Sequence, residues 1–333
     1  MEPLKIGIVG LGAMGRQYVE VCKRIPECDL AGVFDIDPSI CQTISARYGV
    51  MQYGALDALL ADGHIDAVIL CTPDHLHFDV FERVIRAGKH ILIEKPLTTS
   101  VSEARKMVEI SEQVSNKVMV GHVVRFDPRY YSAYVESEPN RVGELVHIYA
   151  RRLNRVDTAM RVDGRTSVTM FLGVHDIDIT MWIARSRIRS VSAVSSCKVL
   201  SRLNTPDTVM ALLEFESGAV GVLEVSWVLP EHFVSGIDAR LEAVFSNGVL
   251  YVDVHHQGLT LFSSDQMRYP VPNQHHVYGV ASGPLRNQIE AFIHSIRNDS
   301  RPPVAAADAF NSVVVAASID ESLKSGARVP CVY

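Results

Sequence analysis

Several short stretches carry residue types that could do chemistry. "GIVGLGAMG" (7–15) sets Gly10, Gly12 and Gly15 in G-x-G-x-x-G order. "CTPDHLHF" (71–78) brings Thr72, Pro73 and His77 together, and "EKPL" (94–97) presents Glu94 and Lys95 ahead of a proline. "VTMFLGVHDIDIT" (168–180) places His175 in an apolar run with Asp176 and Asp178 just behind it. Lysine and histidine together suit the transfer of a hydroxyl proton. A lysine is normally charged near neutrality, with an unperturbed pKa of about 10.4. Desolvation or a neighbouring cation disfavours that charge and brings the group into a useful range. Histidine already titrates near neutrality.

The glycine stretch follows an apolar run, opens a helix-like one, and has Asp35 at the end of the next apolar run, "DLAGVFDID". In a dinucleotide-binding turn Gly10 permits the tight bend, Gly12 admits a pyrophosphate to the backbone, and Gly15 lets helix and strand pack closely. Ala13 and Met14 fall in the first helical turn, whose free N–H groups and partial positive charge suit phosphate. Asp35, followed by Ile36, fits the ribose hydroxyls and repels a 2′-phosphate. No Arg or Lys follows in the next several positions, so NAD is favoured over NADP. Asp37 reads as the start of the next helix.

The elements that must position these residues change character along the chain. Through about residue 122, strand-like runs ("KIGIVGLG", "HIDAVILCTP", "HILIEKPL", "KVMVGHVVRF") alternate with helical patterns, including 76–87 and 100–114. That alternation predicts βαβ units and a doubly wound parallel sheet. Beyond it, "ELVHIYARRL", "TVMALLEFESGAVGVLEVSWVL" and "ARLEAVFSNGVLYVDV" are long, β-branched and aromatic, with "ESGA" and "SNGV" as hairpin turns. The expected fold class is α/β: a Rossmann domain over 1–122 and an α+β domain over 123–333 built on an open, mostly antiparallel sheet. A C-terminal helix at about 304–325 is expected to pack back on the Rossmann domain.

A chain of 333 residues exceeds one comfortable core. No apolar run reaches membrane-span length, and "MEPLKIGIVGLG" enters a strand without the layout of a signal peptide. The six cysteines lack CxxC spacing and read as reduced thiols of a cytoplasmic protein. A net charge of −6 without a basic block argues against nucleic acid. His255–His256 and His275–His276 are adjacent pairs whose members face opposite sides of a strand, so no metal is expected.

With these stretches go "VGHVVRFDPRY" (120–130) and "LGVHDIDIT" (172–180). Together they resemble the Gfo/Idh/MocA family, the glucose–fructose oxidoreductase and inositol dehydrogenase group, over nearly the whole chain. The resemblance implies NAD(P)-dependent redox chemistry at a CH–OH group of a sugar, sugar acid or cyclitol. It also implies homodimers or homotetramers formed through the C-terminal sheet. By position, Lys95 matches the family's active-site lysine, aimed by Glu94 and Pro96, and His175 matches the catalytic histidine. Thr72, Pro73 and His77 match the segment beside the cofactor.

This sequence departs from the family pattern at two points. The aspartate that often precedes the histidine by four residues is Phe171, and the frequent double arginine of "RRF" is Val124–Arg125. If a helix begins by 171, Phe171 and His175 share a face, roughly 5–6 Å apart at Cβ. A phenyl ring cannot orient an imidazole, so His175 is expected to have another partner or to donate to substrate. Asp176 and Asp178 read either as first-turn residues favoured by the helix dipole or, for Asp178, as a bond to substrate or backbone. "ARRLNRVDTAMRVDGRTS" reads as a polar loop, with Arg152 and Arg165 as substrate candidates among its arginines. His122 lines the site or is a satisfied buried histidine.

The leading function is an NAD-dependent dehydrogenase or reductase with Lys95 and His175 as acid–base pair. Two alternatives stay open: a lyase or hydrolase that keeps NAD bound for transient oxidation, and a non-catalytic NAD-binding sensor.

Overall fold

A computed structural model describes residues 2–203, 205–255, 261–262, 267–268, 280 and 282–333. Contacts divide the chain into two compact units, Met1–Phe126 with Asn273–Phe310, and Asp127–Pro272 with Asn311–Tyr333.

The first unit is a six-stranded parallel sheet of β1 (Leu4–Val9), β2 (Cys28–Phe34), β3 (Met51–Gln52), β4 (Ala67–Leu70), β5 (His90–Glu94) and β6 (Val118–Gly121), ordered β3-β2-β1-β4-β5-β6. Its central strands are apolar on both faces, as a sheet covered on both sides requires. The crossovers are α1 (Ala13–Cys22), α2 (Pro38–Tyr48), α3 (Leu56–Ala61), α4 (His77–Arg86) and α5 (Val101–Gln113). Local chemistry sets their ends. Asp37 caps α2 by accepting from the Ser39 N–H, Pro38 occupies its first turn, and Gly49 closes it at φ 63°. The expected strand through "KVMVGHVVRF" stops at Gly121, whose partner Glu94 is the last residue of β5. With no neighbour beyond that point, Val123–Phe126 turns into a 3₁₀ helix.

The second unit opens with α6 (Pro128–Glu136) and α7 (Pro139–Val142). Its seven-stranded sheet contains β7 (Leu145–Arg155), β8 (Ile188–Ser196), β9 (Thr208–Phe215), β10 (Val220–Leu229), β11 (Ile237–Phe245) and β12 (Gly248–Asp253). A two-stranded pair, β13 (Leu261–Phe262) and β14 (Met267–Arg268), is separate, and β15 (Val329–Pro330) completes the larger sheet in the order β12-β11-β7-β10-β9-β8-β15. Its pairs are antiparallel except β7 with β10. The "ESGA" turn holds Gly218 at φ 91°, a conformation glycine adopts without penalty. The arginine-rich stretch is not a loop: it forms β7 and then α8 (Val156–Val162). One face of the sheet buries Ile148, Ala150, Leu223 and Leu241, while Val194, Met210, Leu212 and Tyr251 remain exposed.

α9 (Val174–Ala184) carries His175 and follows directly on a π-helical turn, Thr169–Gly173. Of the last helices, α10 (Pro284–Arg297) groups with the first unit, so the boundary is not a single crossing near residue 122. Ile289 and Phe292 on α10 join the core formed by Ile6, Ile8, Ile69 and Leu92. In α11 (Ala306–Ser325) the division falls between Phe310 and Asn311.

Candidate functional site

In the first unit the strand order reverses between β1 and β4, and the crevice at the carboxyl ends of such strands is where doubly wound sheets bind ligands. Gly10 leaves β1 at φ 90°, and a Cβ there would lie 2.7 Å from the Cys71 carbonyl and 2.8 Å from the Thr72 nitrogen. A Cβ on Gly15 would sit 1.9 Å from the Gly10 oxygen, so α1 seats against the turn only because that position is glycine. Gly12 is different: a Cβ there would meet nothing within 4 Å. It precedes the first turn of α1, formed by Ala13, Met14 and Gly15, and no side chain caps that helix. Open space before uncapped N–H groups is the geometry a pyrophosphate requires.

Asp35 directly follows β2, beside this turn. Its Oδ2 accepts from the Leu11 N–H at 2.6 Å and its Oδ1 from the Asp37 N–H at 2.9 Å, which fixes the carboxylate while leaving lone pairs for a ribose. Ile36 next to it is 91% exposed, an apolar side chain held in solvent where an adenine ring could cover it. The residues present therefore fit a dinucleotide. A nicotinamide dinucleotide held there would supply a hydride acceptor or donor.

Thr72 and Pro73 follow β4, and the sequence reading assigned His77 to the cofactor with them. The structure gives His77 another task. It is 1% exposed, and its two ring nitrogens lie 2.9 Å from the Thr72 oxygen and 2.9 Å from the Pro96 oxygen. His77 is a brace between the Thr72 loop and the Lys95 loop. Burial lowers its pKa, opposed by the two carbonyls.

Lys95, half-buried, follows the last residue of β5, and the Lys95–Pro96 peptide is cis. The Glu94 side chain points inward. Its Oε1 accepts from the Tyr18 hydroxyl at 2.6 Å, its Oε2 faces the Lys95 N–H at 3.2 Å, and Gln288 Nε2 donates to the Tyr18 oxygen at 2.6 Å. Burial raises the Glu94 carboxyl above its usual range, with Tyr18 and Lys95 opposing that rise. Tyr18 and Gln288 escaped the sequence reading. A tyrosine on the buried stripe of α1 was the available signal, since a buried phenol needs a partner. His122, also expected at the site, is buried just after β6.

In the second unit His175 is half-buried at the second position of α9. Phe171 lies within the π turn, where side-chain spacing departs from the i, i+4 geometry of the α-helix. Its ring packs on the buried Trp227 at a centroid distance of 6.0 Å. The turn is anchored from α11: Asp320 accepts from the Ser167 hydroxyl at 2.7 Å, and that hydroxyl accepts from the Met170 N–H at 3.0 Å. Burial pushes the Asp320 carboxyl up, opposed by Ser167 and Thr169.

Asp176 lies in the first turn of α9, as expected, and is fully buried there. One expectation about a polar residue is corrected. Arg152 is not available to a substrate: its side chain is 6% exposed and forks onto Asp176, Nε to Oδ2 at 2.5 Å and Nη2 to Oδ1 at 3.1 Å. Burial opposes the guanidinium's charge, but Asp176 and Tyr130 beside it hold its pKa above the usual range. Burial likewise pushes the Asp176 carboxyl up and Arg152 pulls it back; the two-point fork is that of an ionised pair. Arg165 remains exposed on the segment leading to the π turn. Asp178 is buried. Among the described residues no three of His, Cys, Asp and Glu group as metal ligands. His256, His275 and His276 lie outside the described residues.

A doubly wound sheet with a glycine-turn cradle, followed by a mostly antiparallel α+β unit, defines a dinucleotide-dependent enzyme of two-domain type. Residues 4–122 match a family described as "Oxidoreductase family, NAD-binding Rossmann fold", and 137–251 match "GFO/IDH/MocA C-terminal domain". The chain belongs to the Gfo/Idh/MocA oxidoreductase family. It is 27% identical over 323 residues to inositol 2-dehydrogenase of Rhizobium meliloti (strain 1021), covering 92% of this chain and 95% of that one. It is 25% identical to scyllo-inositol 2-dehydrogenase (NAD(+)) of Bacillus subtilis (strain 168), covering 98% and 96%. Scyllo-inositol dehydrogenase from Lactobacillus casei, solved with NAD(H) and scyllo-inositol, shares the fold at a TM-score of 0.87 and 21% identity, covering 99% of each chain.

Proposed function

We propose that the protein is an NAD-dependent dehydrogenase of a cyclitol or related polyol, moving hydride between a secondary alcohol and the nicotinamide. The observation that carries this reading is the convergence of the glycine turn, Thr72 and Lys95 at the carboxyl ends of β1, β4 and β5. Lys95 takes the hydroxyl proton as hydride leaves and returns it in the reverse direction. His175 assists as its acid–base partner, an assignment that rests on its match to the family histidine. The inositol dehydrogenases among the relatives support the substrate class.

Asp35, with no cation in the residues that follow it, supports NAD over NADP. Arg165 and His122 are the remaining substrate-binding candidates, and Arg152 is left out. The exposed Val194, Met210 and Leu212 support association of copies through the C-terminal sheet, as a homodimer or homotetramer. The unpaired cysteines support a cytoplasmic location. Among the described residues no helix is long and apolar enough to cross a membrane.

The test is NADH formation from NAD⁺ or NADP⁺ by the purified protein across inositols, aldoses and sugar acids, with Lys95→Ala and His175→Ala alongside. Turnover with NAD⁺ on a cyclitol, lowered about 10²–10⁴-fold in Lys95→Ala with NAD affinity kept, is the expected result. Tightly bound NAD without NADH release from any polyol overturns the reading in favour of transient oxidation in a lyase or hydrolase, or of a sensor.

A further inference from the structure

We infer that Ser167 and Asp320 are positioning residues for His175, fixing the register of the π-helical turn that sets the direction of the imidazole. The inference rests on the proposed acid–base role of His175 for its catalytic meaning, whereas the clamp itself is a matter of hydrogen-bond geometry. All of its members belong to the second unit.

The contacts run without a break from α11 to His175. Asp320 Oδ2 lies 2.7 Å from the Ser167 hydroxyl, 153 residues away in sequence. That hydroxyl oxygen accepts from the Met170 N–H at 3.0 Å, and the Ser167 carbonyl accepts from the Phe171 N–H at 2.9 Å. Val168, next in the chain, is already helical, so Ser167 caps the helical run that leads into the π turn. Within the turn the Val174 N–H reaches back five residues to the Thr169 carbonyl, and His175 is the residue that follows. A backbone N–H can only donate, which fixes the direction of the Met170 bond. The hydroxyl–carboxyl bond joins α11 to the cap whichever of its oxygens carries the proton.

A π turn holds one residue more than an α turn, and such turns are rare outside functional sites. Here both of its ends are tied. Upstream, Ser167 is held by α11, and Phe171 packs on Trp227, whose Nε1 donates to the Pro206 carbonyl at 3.3 Å. Downstream, Asp176 is forked by Arg152 from β7. His175 stands between these anchors. In an uninterrupted α-helix Phe171, at i−4, would share the face of His175. Without the Asp320 bond the run can shed its extra residue and return to that register. One residue of shift turns side chains by about 100° around the helix axis, more than a directed hydrogen bond from an imidazole tolerates.

The experiment is a double-mutant cycle on the full-length protein with two readouts. One is kcat for polyol oxidation by NAD⁺; the other is the His175 imidazole resonance in protein carrying isotope-labelled histidine, identified by its loss in His175→Ala. Ser167→Ala and Asp320→Leu should each lower kcat about 10–100-fold, the cost of a misplaced group. Both should move the resonance and leave NAD affinity, read by isothermal titration, unchanged. Asp320→Asn keeps an acceptor for the Ser167 hydroxyl and should stay close to wild type. Placed on His175→Ala, neither Ser167→Ala nor Asp320→Leu should lower kcat further. An unmoved resonance in the folded variants, or losses that add in full to that of His175→Ala, would assign the pair to packing and overturn the inference. If Asp320→Leu fails to fold by circular dichroism, Ser167→Ala decides by the same two readouts. A resonance that moves in a protein that oxidises no polyol would keep the positioning and overturn the proposed reaction, so the two failures are distinguishable.

Discussion

Arg152 on β7 and Asp176 on α9 neutralise each other inside the second unit, in the residue next to His175. Losing one partner leaves an uncompensated buried charge, which costs about 3–5 kcal/mol. Arg152→Ala should therefore lower the thermal midpoint sharply. Arg152→Met with Asp176→Leu, which removes both charges and keeps volume, should recover most of that loss in the same scan. A mild Arg152→Ala phenotype would mean that water reaches the pair.

The glycines of the turn separate stability from binding. Gly15→Ala drives a Cβ against the Gly10 oxygen, where the ideal position is only 1.9 Å away. Relieving that overpacking costs about 1–3 kcal/mol, which calorimetry should register as a lower midpoint with or without cofactor. Gly12→Ala meets no atom within 4 Å. It should leave the apo midpoint unchanged and weaken NAD affinity, read by isothermal titration.

Cofactor preference should follow the charge at the end of β2. The Asp35 carboxylate also holds the Leu11 N–H, so Asp35→Asn is the replacement that keeps an acceptor there. Combined with Ile36→Arg, it removes a repulsive charge and supplies a guanidinium for a 2′-phosphate. The ratio of kcat/KM for NADP⁺ over NAD⁺ should rise about tenfold to a hundredfold, the worth of one charge-assisted hydrogen bond. An unchanged ratio would remove Asp35 from cofactor selection.

His77 predicts a pH dependence of stability. Its pKa is lowered in the folded protein by burial, against the pull of the two carbonyls. The unfolded chain takes up the proton first, so stability is lost as pH falls through the ordinary histidine value near 6.5. His90 acts in the same direction, whereas the raised carboxyls of Glu94, Asp176 and Asp320 act in the opposite one. The informative comparison is thus between wild type and His77→Gln, with midpoints measured from about pH 7.5 to 5.5. His77→Gln should be less stable at the upper end and lose less on acidification; parallel curves would show that His77 does not contribute.

Much of this was legible because it is local. The glycine spacing demands a particular backbone within a few residues, and "ESGA" carries its own turn geometry. The arginine-rich stretch shows why polarity misled. Alternation along β7 sends Arg151 to Asp238, at 2.9 Å, and Arg152 inward to Asp176, so a polar run satisfied by buried carboxylates looks like a loop in one dimension. The π turn was hidden as well, since an apolar run around His175 does not distinguish i+4 from i+5 bonding.

The two kinds of sheet and the glycine cradle with Asp35 are written in the sequence, because each depends on backbone preferences or apolar periodicity that neighbouring residues state. Lys95 and His175 stand out there only through their resemblance to the family's motifs. What surrounds these residues comes from packing alone: His77 as a brace, Arg152 bound to Asp176, Phe171 against Trp227. The same holds for the chain from Gln288 through Tyr18 to Glu94, whose contacts span 270 and 76 residues. A buried polar group must find a partner wherever packing brings one, and no local rule says how far along the chain that partner lies.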